Sequence, residues 1–145
     1  MTTELHPQPV RPEDEALIDA ARDAIRRLYI ENRHHIAAAV RTRKGNVYTA
    51  VHLDTYVGRA SVCAEAVAVG KAMAEADRDI ECVVSVRHPR PREANQEIQV
   101  VSPCGICREL LADFARDCTV IIPVEEKLAR VPVAELLPSK YFRKP

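Results

Sequence analysis

Two short segments, Cys63-Ala64-Glu65 and Ser102-Pro103-Cys104-Gly105-Ile106-Cys107-Arg108, hold the residue types and spacing that could do chemistry in this chain. A tetrahedral catalytic Zn²⁺ takes three protein ligands and keeps its fourth position open for water. Cys63, Cys104 and Cys107 supply three thiolates for such an ion. Glu65 follows the first of them at the start of a helical run. That offset puts a carboxylate beside the metal without binding it, where a proton-transferring base must sit.

Each half of this set has a plainer reading on its own. A C-x-x-C pair also serves as a redox couple or as half of a structural zinc knuckle. A lone C-x-E says less. Their pairing, in this order and each ahead of a helix-like run, has the form of the zinc deaminase signature, with cysteine in place of the usual histidine as first ligand. A non-catalytic structural zinc or redox protein remains the rival, and Glu65 argues against it. A purely structural site has no use for a carboxylate there and normally takes a fourth protein ligand.

The chain resembles the small cytidine deaminases, a family that includes the blasticidin S deaminases. The likeness runs from Ala37-Ala38-Ala39-Val40 and Gly45-Asn46-Val47-Tyr48, similar to the family's first hairpin, through Ser61 to Glu65 and Ser102 to Leu110. It ends in Glu135-Leu136-Leu137-Pro138, followed by the aromatic Tyr141. The resemblance implies a three-layer α/β/α fold with a mixed five-stranded sheet and a Zn²⁺ cofactor. The implied reaction is hydrolytic deamination of cytidine or deoxycytidine, with a zinc-activated hydroxide attacking C4 and Glu65 moving protons to N3 and then to the amine. The carbonyls of Ala64 and Ser102 would accept from the 4-amino group.

Three departures from the family pattern bear on specificity. The ribose-binding N-x-E of the hairpin is matched by His52-Leu53-Asp54. Histidine donates and aspartate accepts, but Asp54 is one methylene shorter, so a modified sugar such as that of blasticidin S becomes an alternative substrate. His34 falls where the family often has a pocket-lining phenylalanine. Ala66 stands where an arginine normally follows C-A-E, which leaves Arg108, Arg59 or the helix dipoles to offset three thiolates on one divalent ion. The family also implies a homotetramer with shared active sites, and Tyr141 with Phe142 are the residues expected to reach a neighbour's pocket.

Whatever positions these residues must fit in 145 residues, one domain's worth, read as a lead-in over 1–12 and a single domain over 13–145. The 21 basic residues balance 21 acidic ones and aromatics are only 4%, so nothing here tracks a phosphate backbone, and a nucleic-acid partner is not expected. No apolar run reaches membrane-spanning length. Five cysteines, an odd number, fit a reducing, cytoplasmic setting, with Cys82 and Cys118 as core thiols.

The pattern of apolar residues gives the elements. Leu17, Ala21, Ala24, Ile25 and Leu28 share one face of a helix over 15–29, with Pro12 in the turn before it. Runs 36–41 and 47–53 form a hairpin. A helix over 63–76, a strand over 81–87, a loop over 88–97 that could act as a lid or contact arm, a helix from Cys104, and strands over 119–124 and 128–133 complete the chain. This alternation predicts a layered α/β fold with helices on both faces of the sheet and both cysteine segments at helix N-termini.

Overall fold

The structure is a computed structural model and describes residues 4–145. Strands β1 (Gln8–Pro9), β2 (Ile36–Thr42), β3 (Val47–Val51), β4 (Ile80–Arg87), β5 (Gln99–Val101), β6 (Thr119–Val124) and β7 (Lys127–Pro132) form one sheet. Its order is β1-β7-β6-β4-β2-β3, with β5 added to β4. β4 and β6 run parallel and the remaining pairs are antiparallel, so the sheet is mixed.

The helices are α1 (Pro12–Leu28), α2 (Ala64–Ala74) and α3 (Gly105–Phe114). Side chains alternate across a strand, and β2 shows the consequence. Its Ala37 and Ala39 pack with Leu17, Ile18, Ala21 and Ile25 of α1 on one face. Ala38 and Val40 pack with Ala64, Ala68 and Ala72 of α2 and Leu111 of α3 on the other. The expected three layers with helices on both faces are therefore present.

The five-stranded expectation is met by the longer strands. Five longer strands carry the sheet, and two short ones, β1 and β5, extend it. β1 places Gln8 and Pro9 opposite Arg130 and Ala129 of β7, inside the segment read as a lead-in; residues 1–3 lie outside the described residues. α1 begins at Pro12 rather than at residue 15, because Pro12 suits the first turn and Asp14 accepts a 2.9 Å hydrogen bond from the Arg11 backbone N–H.

Of the two short strands, β5 bears on the cysteines. The apolar signal of three residues is too short to read as a strand, yet Val101 pairs with Ser85 of β4. That pairing delivers the chain directly into Ser102-Pro103-Cys104. α2 and α3 lie on the same side of the sheet, and their N-cap residues are Cys63 and Cys104.

α1 is tied to the sheet by a buried ion network centred on Asp14, which is fully buried. Its carboxylate meets Arg41 of β2 at 2.9 Å and Arg130 of β7 at 3.2 Å, and Arg41 also holds Glu81 of β4 at 3.0 Å. Burial alone would raise the Asp14 pKa; the Arg11 N–H and the Arg41 guanidinium outweigh it and hold the group ionised. Removing one partner of a buried set leaves the others uncompensated. Asp14→Ala is expected to lower stability by roughly 3–5 kcal/mol in chemical denaturation, and a loss below about 1 kcal/mol would show that the network is not a fastening.

Candidate metal centre and active site

The two helix starts converge on one point. The sulfur atoms of Cys63, Cys104 and Cys107 all lie within 4.8 Å of one another, and Cys63 and Cys104 are 3.6 Å apart. Tetrahedral zinc with Zn–S bonds of about 2.3 Å spaces its sulfurs about 3.8 Å apart, so the trio fits that ion with little adjustment. Among the described residues no aspartate, glutamate or histidine joins the group, which leaves a fourth coordination position open.

Backbone geometry favours an anionic sulfur at Cys104. Both N-cap residues are extended, which frees the first N–H groups of each helix. Burial would raise the Cys104 pKa, but hydrogen bonds from the Cys107 N–H, the Cys63 and Cys107 thiols and the Ile106 N–H bring it below the ordinary thiol value. Burial pushes the Cys63 thiol up, and burial together with the nearby Glu65 charge pushes Cys107 up. A bound cation would favour the thiolate form of all three.

Glu65 sits in the first turn of α2 and is only 4% exposed. Its Oε1 accepts a 2.7 Å hydrogen bond from the Ser85 hydroxyl on β4. Both residues line a cavity of about 310 Å³ together with Cys63 and Cys104. Ile36, Val62, Val101 and Ile106 supply apolar wall of the kind small-molecule pockets use. Among the residues expected at the site, Ala64, Ser102 and His52 also line this cavity.

His52 enters with a defined tautomer. Its Nδ1 accepts from the backbone N–H groups of His35 and Ile36, each at 3.0 Å. In a neutral imidazole the single proton then lies on Nε2, which makes that nitrogen a donor. Burial holds the His52 pKa below the ordinary histidine value, and a proton on Nδ1 would face two N–H donors. His34 does not line the cavity. Its Nδ1–H donates to the His52 carbonyl at 2.7 Å, so it braces the turn that carries His52.

Asp54, Arg59, Arg108 and Tyr141 lie outside the cavity lining. The Asp54 carboxylate faces the Ser61 hydroxyl at 3.4 Å. Arg59 is exposed on the 3₁₀ turn Gly58–Ala60. Arg108 is committed to carbonyls, donating to Pro103 at 2.9 Å and to Leu136 at 3.1 Å, so it anchors the peptide ahead of Cys104. Tyr141 is 79% exposed on the tail beside α3. Ser85 is a site residue that motif spacing does not reveal. A hydroxyl isolated in the run Val83-Val84-Ser85-Val86 is the available signal, since a buried strand rarely spends a position on a polar group without a partner.

Residues 11–122 match the family profile described as the cytidine and deoxycytidylate deaminase zinc-binding region. The chain belongs to that family. It is thus a zinc-dependent hydrolytic deaminase. The deaminase is 45% identical over 134 residues to the blasticidin-S deaminase of Bacillus cereus, covering 92% of this chain and 96% of the relative. It is 27% identical over 135 residues to a cytidine deaminase of Sporosarcina psychrophila, covering 89% of this chain and 91% of that one. The solved structure of the cytidine deaminase from Bacillus anthracis superposes with a TM-score of 0.74 at 26% identity, covering 90% of each chain.

Replacing Cys63, Cys104 or Cys107 singly with alanine is expected to drop bound zinc from about one ion per chain to a trace, with loss of thermal stability. Elemental analysis of the purified variants reads this directly, and full zinc retention by Cys104→Ala would remove the assignment.

Proposed function

We propose that the deaminase hydrolyses the 4-amino group of a cytosine nucleoside bound in the cavity beside Cys63, Cys104 and Cys107, with Glu65 as its catalytic proton shuttle. The observation that carries this reading is the buried Glu65 carboxylate at the edge of an open-sided sulfur trio, inside a cavity with apolar walls. Zinc, when bound by the three cysteines, supplies a Lewis acid that makes water nucleophilic near neutral pH.

The remaining work falls to the chain itself. Glu65 takes a proton from the attacking water and delivers it to ring N3 as the nucleophile adds at C4. A second proton then passes through the same carboxylate to the departing amine, and ammonia and the uracil nucleoside leave. The Ala64 and Ser102 carbonyls orient the 4-amino group, while Ile36, Val62 and Val101 hold the ring and exclude bulk water. Arg108 keeps the second cysteine segment in place through Pro103, and the helix N-termini, more than Arg59, offset the thiolate charge.

At the sugar end, His52 offers one Nε2–H donor, whereas Asp54 is turned to Ser61 outside the cavity lining. That is a reduced grip on an ordinary ribose. Together with the 45% identity to a blasticidin-S deaminase, it favours a cytosine nucleoside with a modified sugar, blasticidin S among them, over cytidine or deoxycytidine. Ile106 lines the cavity yet is 77% exposed, and Tyr56, just before the cavity-lining Gly58, is 97% exposed, which supports a homotetramer whose sites are completed by neighbours, with Tyr141 as a contributor.

Glu65→Gln is expected to keep zinc and fold while losing at least about 10³-fold in kcat, because an amide of the same size cannot carry the proton; near wild-type turnover would refute the shuttle. With wild-type protein, loss of cytosine absorbance should give a kcat/KM for blasticidin S at least about tenfold above that for cytidine, a difference of one lost sugar contact. The reverse order would return the assignment to ordinary nucleosides. Light scattering should show a tetramer, and a fully active monomer would exclude shared sites.

A further inference from the structure

We propose that Ser85 is a positioning residue for the reaction: its hydroxyl holds one oxygen of Glu65 so that the other faces the reacting atoms. The Ser85 Oγ lies 2.7 Å from Glu65 Oε1, and the residues are 2% and 4% exposed. An O–H···O⁻ bond of this length is charge-assisted and stronger than a neutral one. A carboxylate with one oxygen fastened has its rotation restricted, which presents the second oxygen toward the sulfur trio, where Cys107 faces Glu65.

The strand that carries Ser85 is suited to act as a fixed reference. β4 is flanked by β2, β5 and β6, and Ser85 is registered with Ala38 on one side and Val101 on the other. Val101 immediately precedes the segment that bears Cys104 and Cys107. One backbone register therefore sets the height of Ser85, and through it Glu65, against two of the three sulfurs. Glu65 itself reaches this point from α2 through three rotatable bonds, so its helix alone does not fix the carboxylate.

This role depends on the family's hydrolytic deamination and not on which cytosine nucleoside is preferred. Steady-state kinetics of Ser85→Ala should be measured on whichever of cytidine and blasticidin S the wild type turns over faster. The expected result is a kcat lower by about 10- to 100-fold, the worth of a hydrogen bond to a charged group, with KM changed less than about twofold. Zinc content and thermal midpoint should stay at wild-type values.

The same substitution placed in a Glu65→Asp background, whose shortened carboxylate no longer spans to Ser85, should cost less than about threefold. A kcat for Ser85→Ala within about twofold of wild type would overturn the proposal. So would an equal cost in both backgrounds, which would mean that Ser85 acts on the fold rather than through Glu65. The substrate ranking of the wild type is read from separate reactions, so its failure leaves the Ser85 comparison intact.

Discussion

Three sulfur atoms held within 4.8 Å of one another at two helix starts make a centre with the spacing a zinc ion needs. The rest of the structure can be understood as the framework needed to hold that arrangement. Two helices start at the same end of one sheet, both with a cysteine at the N-cap, and N–H groups at the start of α3 face the Cys104 sulfur. Small residues make the approach possible. Ala38 of β2 packs with Ala64, Ala68 and Ala72 of α2, so the helix lies close on the sheet with little side-chain bulk between them.

The chemistry depends on a division of labour between elements. In the proposed reaction the start of α2 would contribute a zinc ligand and the proton-carrying carboxylate within three residues, α3 the other two ligands, and β4 the Ser85 hydroxyl that bonds the carboxylate. The hairpin of β2 and β3 leads into His52, whose tautomer is set by backbone donors rather than by solvent. Because Nδ1 is occupied and burial disfavours the charged ring, His52 stays a neutral donor. A neutral donor suits a sugar hydroxyl or a polar substituent in that place.

Much of this is legible in the sequence, for physical reasons. Motif spacing is local, so Cys63, Cys104 and Cys107, with Glu65 after the first of them, can be picked out as candidates directly; a helix period of 3.6 and a strand period of 2 are likewise visible in runs such as 15–29 and 81–87. Features set by long-range pairing are not visible in this way. β5 has three residues and exists because β4 offers an edge; β1 exists because β7 does. Ser85 acquires its meaning only when α2 is laid over β4. Asp54 matches a family position by order along the chain, yet its orientation toward Ser61 depends on the turn beyond it, which no pattern specifies.

Everything proposed for this chain rests on an open zinc site built from three cysteines, with a carboxylate that stays off the metal. X-ray absorption at the zinc edge, on the zinc-loaded wild-type protein in solution, measures the ligand set itself. The expected spectrum shows three sulfurs at about 2.3 Å and one light atom at about 2.0 Å. Four sulfurs, or two sulfurs with two nitrogens, would mean a closed or different centre and would contradict it.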